Sequence, residues 1–439
     1  MKIIEGFTAA KKALSRETTS VSIPVSAEMR RGLRERFGTE EPEEAVRIIL
    51  DEVRRGGDDA LRELTRKIDG RELKALEVGK EEIKDAVRQV DKDLLDALRQ
   101  AAQRIEEFHR RQRENIWREI SGHGVGQQVR ALGRVGVYVP GGTASYPSTV
   151  LMTAVPARVA GVGEVILTTP PGRDGKIPAM TLSAADIAGV DRVFGIGGAQ
   201  AIGALAFGTE TIPAVDKICG PGNIFVMLAK KQVFGTVAID GLQGPSEVMI
   251  IADDGANPEY CAADILAQAE HDVLAAAVMV TTSREVAQAV VKELDRQLPE
   301  LSRREMLSPA LERGIIAVVS SLQEAVALAN LYAPEHLCLM VADAGKYLPD
   351  IRNAGCIVAG RDATVVLGDY IAGPSHALPT GGTARFSSPL NVSDFIKYTS
   401  VVHVDGAMLA KLGPAAALIA RAEGLDAHAR AVTRRLKKA

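Results

Sequence analysis

The stretch RVGVYVPGGTASYPSTVLMTAVPARVAGVGEVILT (residues 134–168) reads as one repeating unit: an apolar strand at Val135–Val139, a helix over Pro147–Val159 and a second strand at Val165–Thr168. Its uncharged part, Val135–Ala157, is long enough to cross a bilayer, but Pro140, Gly141, Gly142, Pro147 and Pro156 break it. The same unit recurs downstream. Further strands are expected at Arg192–Gly195, Lys217–Cys219, Val248–Ala252, Ala277–Thr281, Ile315–Val319, Leu337–Val341 and Cys356–Ala359, with helices such as Ala199–Phe207 and Pro258–Ala269 between them. Short apolar strands alternating with helices build parallel sheets covered on both faces, and nine strands suit two sheets. Upstream, Ala27–Trp117 is charged and helical in pattern, with Ala45, Ile48, Ile49, Val53, Leu61, Leu64 and Ile68 at helical spacing. The tail after about Val392 reads as helical, with breaks at Gly413-Pro414 and Gly424.

Composition narrows the function. The 439 residues suit two or three domains at roughly 150 residues each. Hydrophobic residues at 46% and charged residues at 25% describe a globular protein and not a disordered polymer. Lys and Arg (53) nearly balance Asp and Glu (56), and aromatics are 4%, so neither a basic surface nor stacking platforms for nucleic acid are expected. The start lacks the apolar core of a signal peptide. Cys219, Cys261, Cys338 and Cys356 are far apart and form no CxxC pair, so reduced thiols in a cytoplasmic protein are expected. An enzyme acting on a small molecule fits best, with no nucleic-acid or membrane partner.

No GxGxxG fingerprint occurs at a strand end. Gly195-Ile-Gly-Gly-Ala-Gln200 and Gly220-Pro-Gly-Asn223 come near it, each leaving a strand and opening a helix, where free amides could hold a phosphate or simply make a tight turn. Among seven histidines, His271 stands three residues after Gln268, so on a helix both would share one face and could chelate an ion, or cap a surface. Asp369 and His376 lie in a loop rich in Gly and Pro and offer oxygen and nitrogen. Glu335 and His336 are adjacent; on a helix they would diverge by roughly 100 degrees, and an acid beside an imidazole is proton-transfer equipment or a first-turn acid beside a buried histidine. His109, His123 and His403 carry no motif and read as structural, and His428 by itself reads as a surface histidine.

Together these motifs resemble the histidinol dehydrogenase family over nearly the whole chain. The resemblance runs from Phe108-His109 through Val135-Gly-Val-Tyr138-Val-Pro-Gly-Gly-Thr143, Gly197-Gly-Ala-Gln200, Gly220-Pro-Gly-Asn223 and Gly244-Pro-Ser246-Glu247. It continues through Gln268-Ala-Glu-His271, Tyr332-Ala-Pro-Glu-His336, Gly368-Asp369-Tyr370, Leu378-Pro-Thr380 and Glu423-Gly-Leu-Asp-Ala-His428. It implies oxidation of L-histidinol to L-histidine through an aldehyde, with two NAD consumed and one zinc per subunit. Carried onto matching positions, it makes Gln268, His271, Asp369 and His428 the zinc ligands. Glu335 and His336 become the proton-transfer pair, Tyr138, Gln200 and Asn223 the NAD contacts, and Ser246, His376 and Glu423 further substrate contacts. It also implies a homodimer whose exchanged tail brings Glu423 and His428 to the partner's site.

The resemblance implies two incomplete Rossmann-like α/β domains. Residues 138–244 would form an inserted NAD-binding domain, and 29–137 with 245–390 a discontinuous domain. Residues 1–28 would be an N-terminal extension and 391–439 a helical tail. The run Arg361-Asp-Ala-Thr-Val-Val366, Ser375 before His376, and Gly241-Leu-Gln243 depart from the family's usual residues without removing a ligand. They leave room for a relative oxidising another polar alcohol, such as a sulfonated propanediol. A sulfonate would favour Arg or Lys where Glu423 stands. A zinc-stabilised scaffold without catalysis would have no need of Glu335 and His336.

Overall fold

A computed structural model describes residues 1–439 except 17–24, 74, 123, 142–144, 173 and 437–439, so His123 and the Gly142-Thr143 end of one motif lie outside the described residues. The described strands are β1 (Lys2–Glu5), β2 (Ile120–Gly122), β3 (Val125–Ala131), β4 (Arg134–Tyr138), β5 (Glu164–Thr168), β6 (Arg192–Phe194), β7 (Lys217–Cys219), β8 (Ala238–Ile239), β9 (Glu247–Ala252), β10 (Ala276–Thr281), β11 (Ile315–Val318), β12 (His336–Met340), β13 (Cys356–Ala359) and β14 (Ile396–Val402). All nine strands expected from sequence are present to within a residue at each end.

Two sheets are wholly parallel: five strands in the order β6-β5-β4-β7-β8 and six in the order β1-β11-β10-β9-β12-β13. Both are covered on two faces, as parallel sheets require. On one face of the five-stranded sheet, helix Pro42–Asp69 buries Val46, Ile49, Leu50, Val53, Leu61 and Leu64 in one core with Ile202 and Leu205 of helix Gly198–Phe207 and with the strand residues Ile166 and Ile218. The other face takes helices Lys92–Ile116 and Pro147–Ala160 through Leu98, Ile105, Val150 and Met152. Each such Leu or Ile contributes about 1.5–3 kcal/mol by leaving water. Helices Pro42–Asp69 and Lys92–Ile116, grouped from sequence with residues 245–390, therefore cover the five-stranded sheet instead: periodicity shows that a helix has an apolar stripe, not which sheet it meets.

Two further expectations are corrected. Residues 2–14 are no mere extension, because β1 pairs in parallel with β11 and helix Phe7–Leu14 places Ala10 and Leu14 in the core over Ile251 and Ala317. The tail is not helical throughout: β14 pairs antiparallel with β3 from Ile396↔Ala131 to Val402↔Val125, and helices Gly406–Ala422 and Asp426–Leu436 follow. No described helix is long and apolar enough to cross a membrane.

The strand order of the five-stranded sheet reverses between β4 and β7, which opens a crevice at their carboxyl ends. There Gly220 has φ +113°, and a Cβ would collide with the Tyr138 carbonyl oxygen. Gly220→Ala is expected to cost at least about 1–3 kcal/mol in strain alone. Denaturant unfolding checks it, and a change below about 0.5 kcal/mol, the size of an ordinary surface substitution, would contradict it. In the six-stranded sheet the amino ends of β9, β12 and β13 carry Glu247, His336 and Cys356. The linker between the sheets is tied down by Gly244 N, which donates to Thr380 Oγ1 at 2.6 Å.

Candidate active site

Glu335 and His336 do not share a helix. His336 opens β12, and Glu335 lies in the bend before it, after helix Leu322–Tyr332 has ended at Ala333 with φ 51°. Both are buried, at 6% and 4% exposure. They are held by one residue of the neighbouring strand: Glu247 N donates to Glu335 Oε2 at 2.7 Å, and His336 Nδ1 donates to the Glu247 carbonyl at 3.3 Å. His336 Nε2 lies 3.0 Å from Asp369 Oδ1, and Nδ1 lies 3.7 Å from Glu335 Oε2. The carbonyl makes Nδ1 a donor, and the carboxylate at Nε2 favours a second proton on the ring in this geometry. Burial opposes that charge, but the Asp369 hydrogen bond and the nearby carboxylates outweigh it and raise the ring to about 9. Burial raises the Glu335 carboxyl to about 8, against the pull of His336 and the Glu247 amide.

Asp369 is the next-to-last residue of helix Val365–Tyr370 and is the hub of three imidazoles, those of His336, His376 and His271, all of which stabilise its charge. His376 Nδ1 donates to the Asp369 carbonyl at 2.7 Å, which leaves Nε2 facing Thr149 Oγ1 at 3.3 Å. Thr149 belongs to the first turn of helix Pro147–Ala160, so His376 connects the two α/β layers. His271 lies just past the end of helix Pro258–Ala269, not on it, with its amide bonded to the Gln268 carbonyl at 3.3 Å. Gln268 is 1% exposed and its side-chain Nε2 has no partner.

Among the described residues no three His, Cys, Asp or Glu side chains form a metal-like cluster. The sequence-derived ligand set accounts for this. Gln268 is an amide, and His428 lies on helix Asp426–Leu436, which packs principally on helix Gly406–Ala422; only His271 and Asp369 remain. Glu423 and His428 are exposed. An orphaned buried amide beside an imidazole and a carboxylate is a mixed nitrogen and oxygen donor set, which fits zinc. Ser246, half-buried, directly precedes Glu247 at the same strand end.

At the β4–β7 crevice, the Tyr138 hydroxyl accepts from Gly198 N at 3.1 Å. Gln200 is buried with neither side-chain atom partnered, the mark of a group awaiting a ligand or water. Asn223 is exposed and caps helix Ile224–Val233, its Oδ1 accepting from Phe225 N and Val226 N. The three sequence-derived NAD positions therefore border one crevice. His109 is structural, donating to the Ile105 carbonyl at 2.8 Å. Cys219, Cys261 and Cys338 are buried free thiols, whereas Cys356 is half-buried and lines a cavity with His336, His376 and Leu378.

The histidinol dehydrogenase family model matches residues 33–436. The chain belongs to the histidinol dehydrogenase family. A histidinol dehydrogenase of Dehalococcoides mccartyi (strain CBDB1) is 57% identical over 438 residues, covering 100% of both chains. One of Clostridium acetobutylicum is 50% identical over 410 residues, covering 92% of this chain and 95% of that one. The crystal structure of histidinol dehydrogenase from Elizabethkingia anophelis matches with a TM-score of 0.90 at 36% identity, covering 100% of this chain and 98% of that one. Family membership makes the chain an oxidoreductase.

The departures from the usual histidinol dehydrogenase residues have structural occupations. Arg361 pairs with Asp253 at 3.1 Å, and Thr364 caps the Asp369 helix while donating to Asp264 at 2.5 Å. Ser375 Oγ donates to the Met152 carbonyl at 2.8 Å, and Gln243 Oε1 accepts from the buried Lys230 at 2.8 Å. None of the three points to a different substrate. Glu247 is the residue that sequence reasoning missed: a carboxylate before Val248–Ala252 looks like a strand flank, though its main chain holds both members of the acid–histidine pair.

Proposed function

We propose that the chain oxidises L-histidinol to L-histidine through L-histidinaldehyde, reducing two NAD, in the last steps of histidine biosynthesis. The observation that carries this is the buried Glu335–His336 pair, fixed to one strand and joined to Asp369, in a chain of this family. Bound NAD supplies the hydride acceptor in each oxidation. Zinc held by Gln268, His271, Asp369 and the partner subunit's His428 supplies orientation of the substrate's nitrogens. His336 acts in its neutral form: once Asp369 is engaged as a zinc ligand and no longer accepts from Nε2, that nitrogen takes the alcohol proton, because hydride leaves carbon easily only as the oxygen gives up its proton. Glu335 takes a proton from water so that it adds to the aldehyde, and the resulting hydrate gives its hydride to the second NAD and its hydroxyl proton to His336. Ser246 and His376 line the substrate, and the partner subunit's Glu423 pairs with its ammonium group. The relatives' names favour histidinol over a sulfonated propanediol. Incubation with L-histidinol and NAD should yield L-histidine, while turnover of the sulfonated diol alone would overturn the proposal.

The pH dependence has a definite sign. Glu335 works as a carboxylate, and its carboxyl is raised to about 8, so it is mostly neutral at pH 7. The rate of aldehyde oxidation should therefore rise about tenfold from pH 7 to 9 and level off above it. A rate flat over that range, measured with L-histidinaldehyde, would contradict the role.

The tail supports a homodimer in which this segment is exchanged: the helical pair Gly406–Ala422 and Asp426–Leu436 exposes Leu412, Leu418, Ile419 and Leu425. His428→Ala and His336→Asn should each be inactive, yet mixed dimers should regain activity because one site then has both intact residues. Refolded mixtures without any regain would exclude sharing of the site between subunits.

A further inference from the structure

The main chain of Glu247 holds both members of the acid–histidine pair, so whatever fixes Glu247 fixes the pair. Its carboxylate is nearly buried and takes both prongs of the Arg16 guanidinium, Nη1 to Oε1 and Nη2 to Oε2, each at 2.7 Å. Gly381 N donates to the same Oε1 at 3.1 Å. The Arg16 guanidinium also lies 3.8 Å from the centre of the Tyr332 ring. Tyr332 ends the helix leading into Glu335, and the next residue, Ala333, is the one described non-glycine residue at positive φ. Such a conformation persists only where its surroundings over-determine it. One side chain from the N-terminal segment thus braces the pair from two directions: through Glu247 on β9 and through the turn between Tyr332 and His336.

We propose that Arg16 is a positioning residue for the proton-transfer pair, clamping the Glu247 side chain so that its amide and carbonyl hold Glu335 and His336 in register. The proposal rests on the reading of Glu335 and His336 as that pair. Arg16 touches neither of them, so its effect lies in geometry. A two-pronged guanidinium fixes the orientation of the carboxylate as well as neutralising it, and an ammonium in its place only neutralises it. Without a partner, the Glu247 carboxylate would seek water and carry the end of β9 with it.

The test uses the zinc-loaded full-length enzyme as Arg16→Met, Arg16→Lys and Glu335→Gln variants. Each is assayed separately with L-histidinol and L-histidinaldehyde, with thermal unfolding recorded in parallel. Arg16→Met should lower kcat for aldehyde oxidation about 100-fold, the scale of a displacement near one ångström, while KM for NAD stays within about twofold. Arg16→Lys should recover about tenfold of that loss, because charge is restored and the fork is not. Should Arg16→Met fail to fold, Arg16→Lys decides alone: about a tenfold fall in kcat at unchanged KM supports the clamp, and wild-type kcat overturns it. Wild-type kcat in folded Arg16→Met, or a loss matched by the unfolded fraction, also overturns it. Glu335→Gln separates the two failures. If that variant is inert towards the aldehyde while Arg16→Met is normal, only the clamp falls; if it is fully active, the reading of the pair falls and the clamp falls with it.

Discussion

Glu335→Gln is expected to lower aldehyde oxidation by about 10²–10⁴-fold, the contribution of a positioned general base, while the alcohol step keeps most of its rate. The substitution is nearly isosteric, and an amide oxygen can still accept from Glu247 N, so the bond now measured at 2.7 Å and the packing survive. What is lost is the capacity to take a proton from water. His336→Asn, by contrast, should stop both oxidations, because each hydride departure needs His336 to take a hydroxyl proton, first from the alcohol and then from the hydrate. Single-turnover measurements starting from L-histidinol and from L-histidinaldehyde separate the cases. Aldehyde turnover by Glu335→Gln within about tenfold of wild type, below the range for a general base, would show that another group activates the water.

Asp369→Asn is expected to have an effect of similar size by a different route. The carboxylate has two tasks: it is the charge against which three imidazoles are arranged, and it is a proposed zinc ligand. Removing its charge takes away the main support for the raised His336 ring, leaving burial to push that ring down. It also leaves His271 and Gln268 as a weak pair of neutral donors within the subunit. Loss of an outer partner of a metal site typically costs about 10–100-fold in affinity, so loss of a ligand should cost more than that. Zinc content after dialysis against a chelator, with L-histidinol turnover on the same samples, provides the measurement. Full zinc retention by Asp369→Asn would remove Asp369 from the ligand set.

The parallel sheets were legible because strands buried on both faces are short apolar runs, and because Asn257-Pro258-Glu259 and similar starts mark the intervening helices. β1 was not, since Lys2–Glu5 is a four-residue edge strand with no interior run behind it. β14 was overlooked although Ile396-Lys-Tyr-Thr-Ser-Val-Val402 is rich in strand formers; six of its seven residues are at least partly exposed, which masks any apolar alternation. At the site, the residue types were legible and their local setting was not. Glu335 and His336 read as helical neighbours because adjacency carries no information about the strand that His336 opens. Arg16 and Glu247 are 231 positions apart, and no local pattern joins a surface-like arginine to a strand flank. Contacts of that range are set by topology, here by β1 entering the sheet that also holds β9.

The central claim is a four-electron oxidation completed at one site. The most direct measurement is the number of NADH formed per L-histidinol consumed, with zinc-loaded protein, excess NAD and identification of the product. The account predicts two NADH and L-histidine. One NADH with accumulating L-histidinaldehyde would contradict it and remove the water-activating role from Glu335.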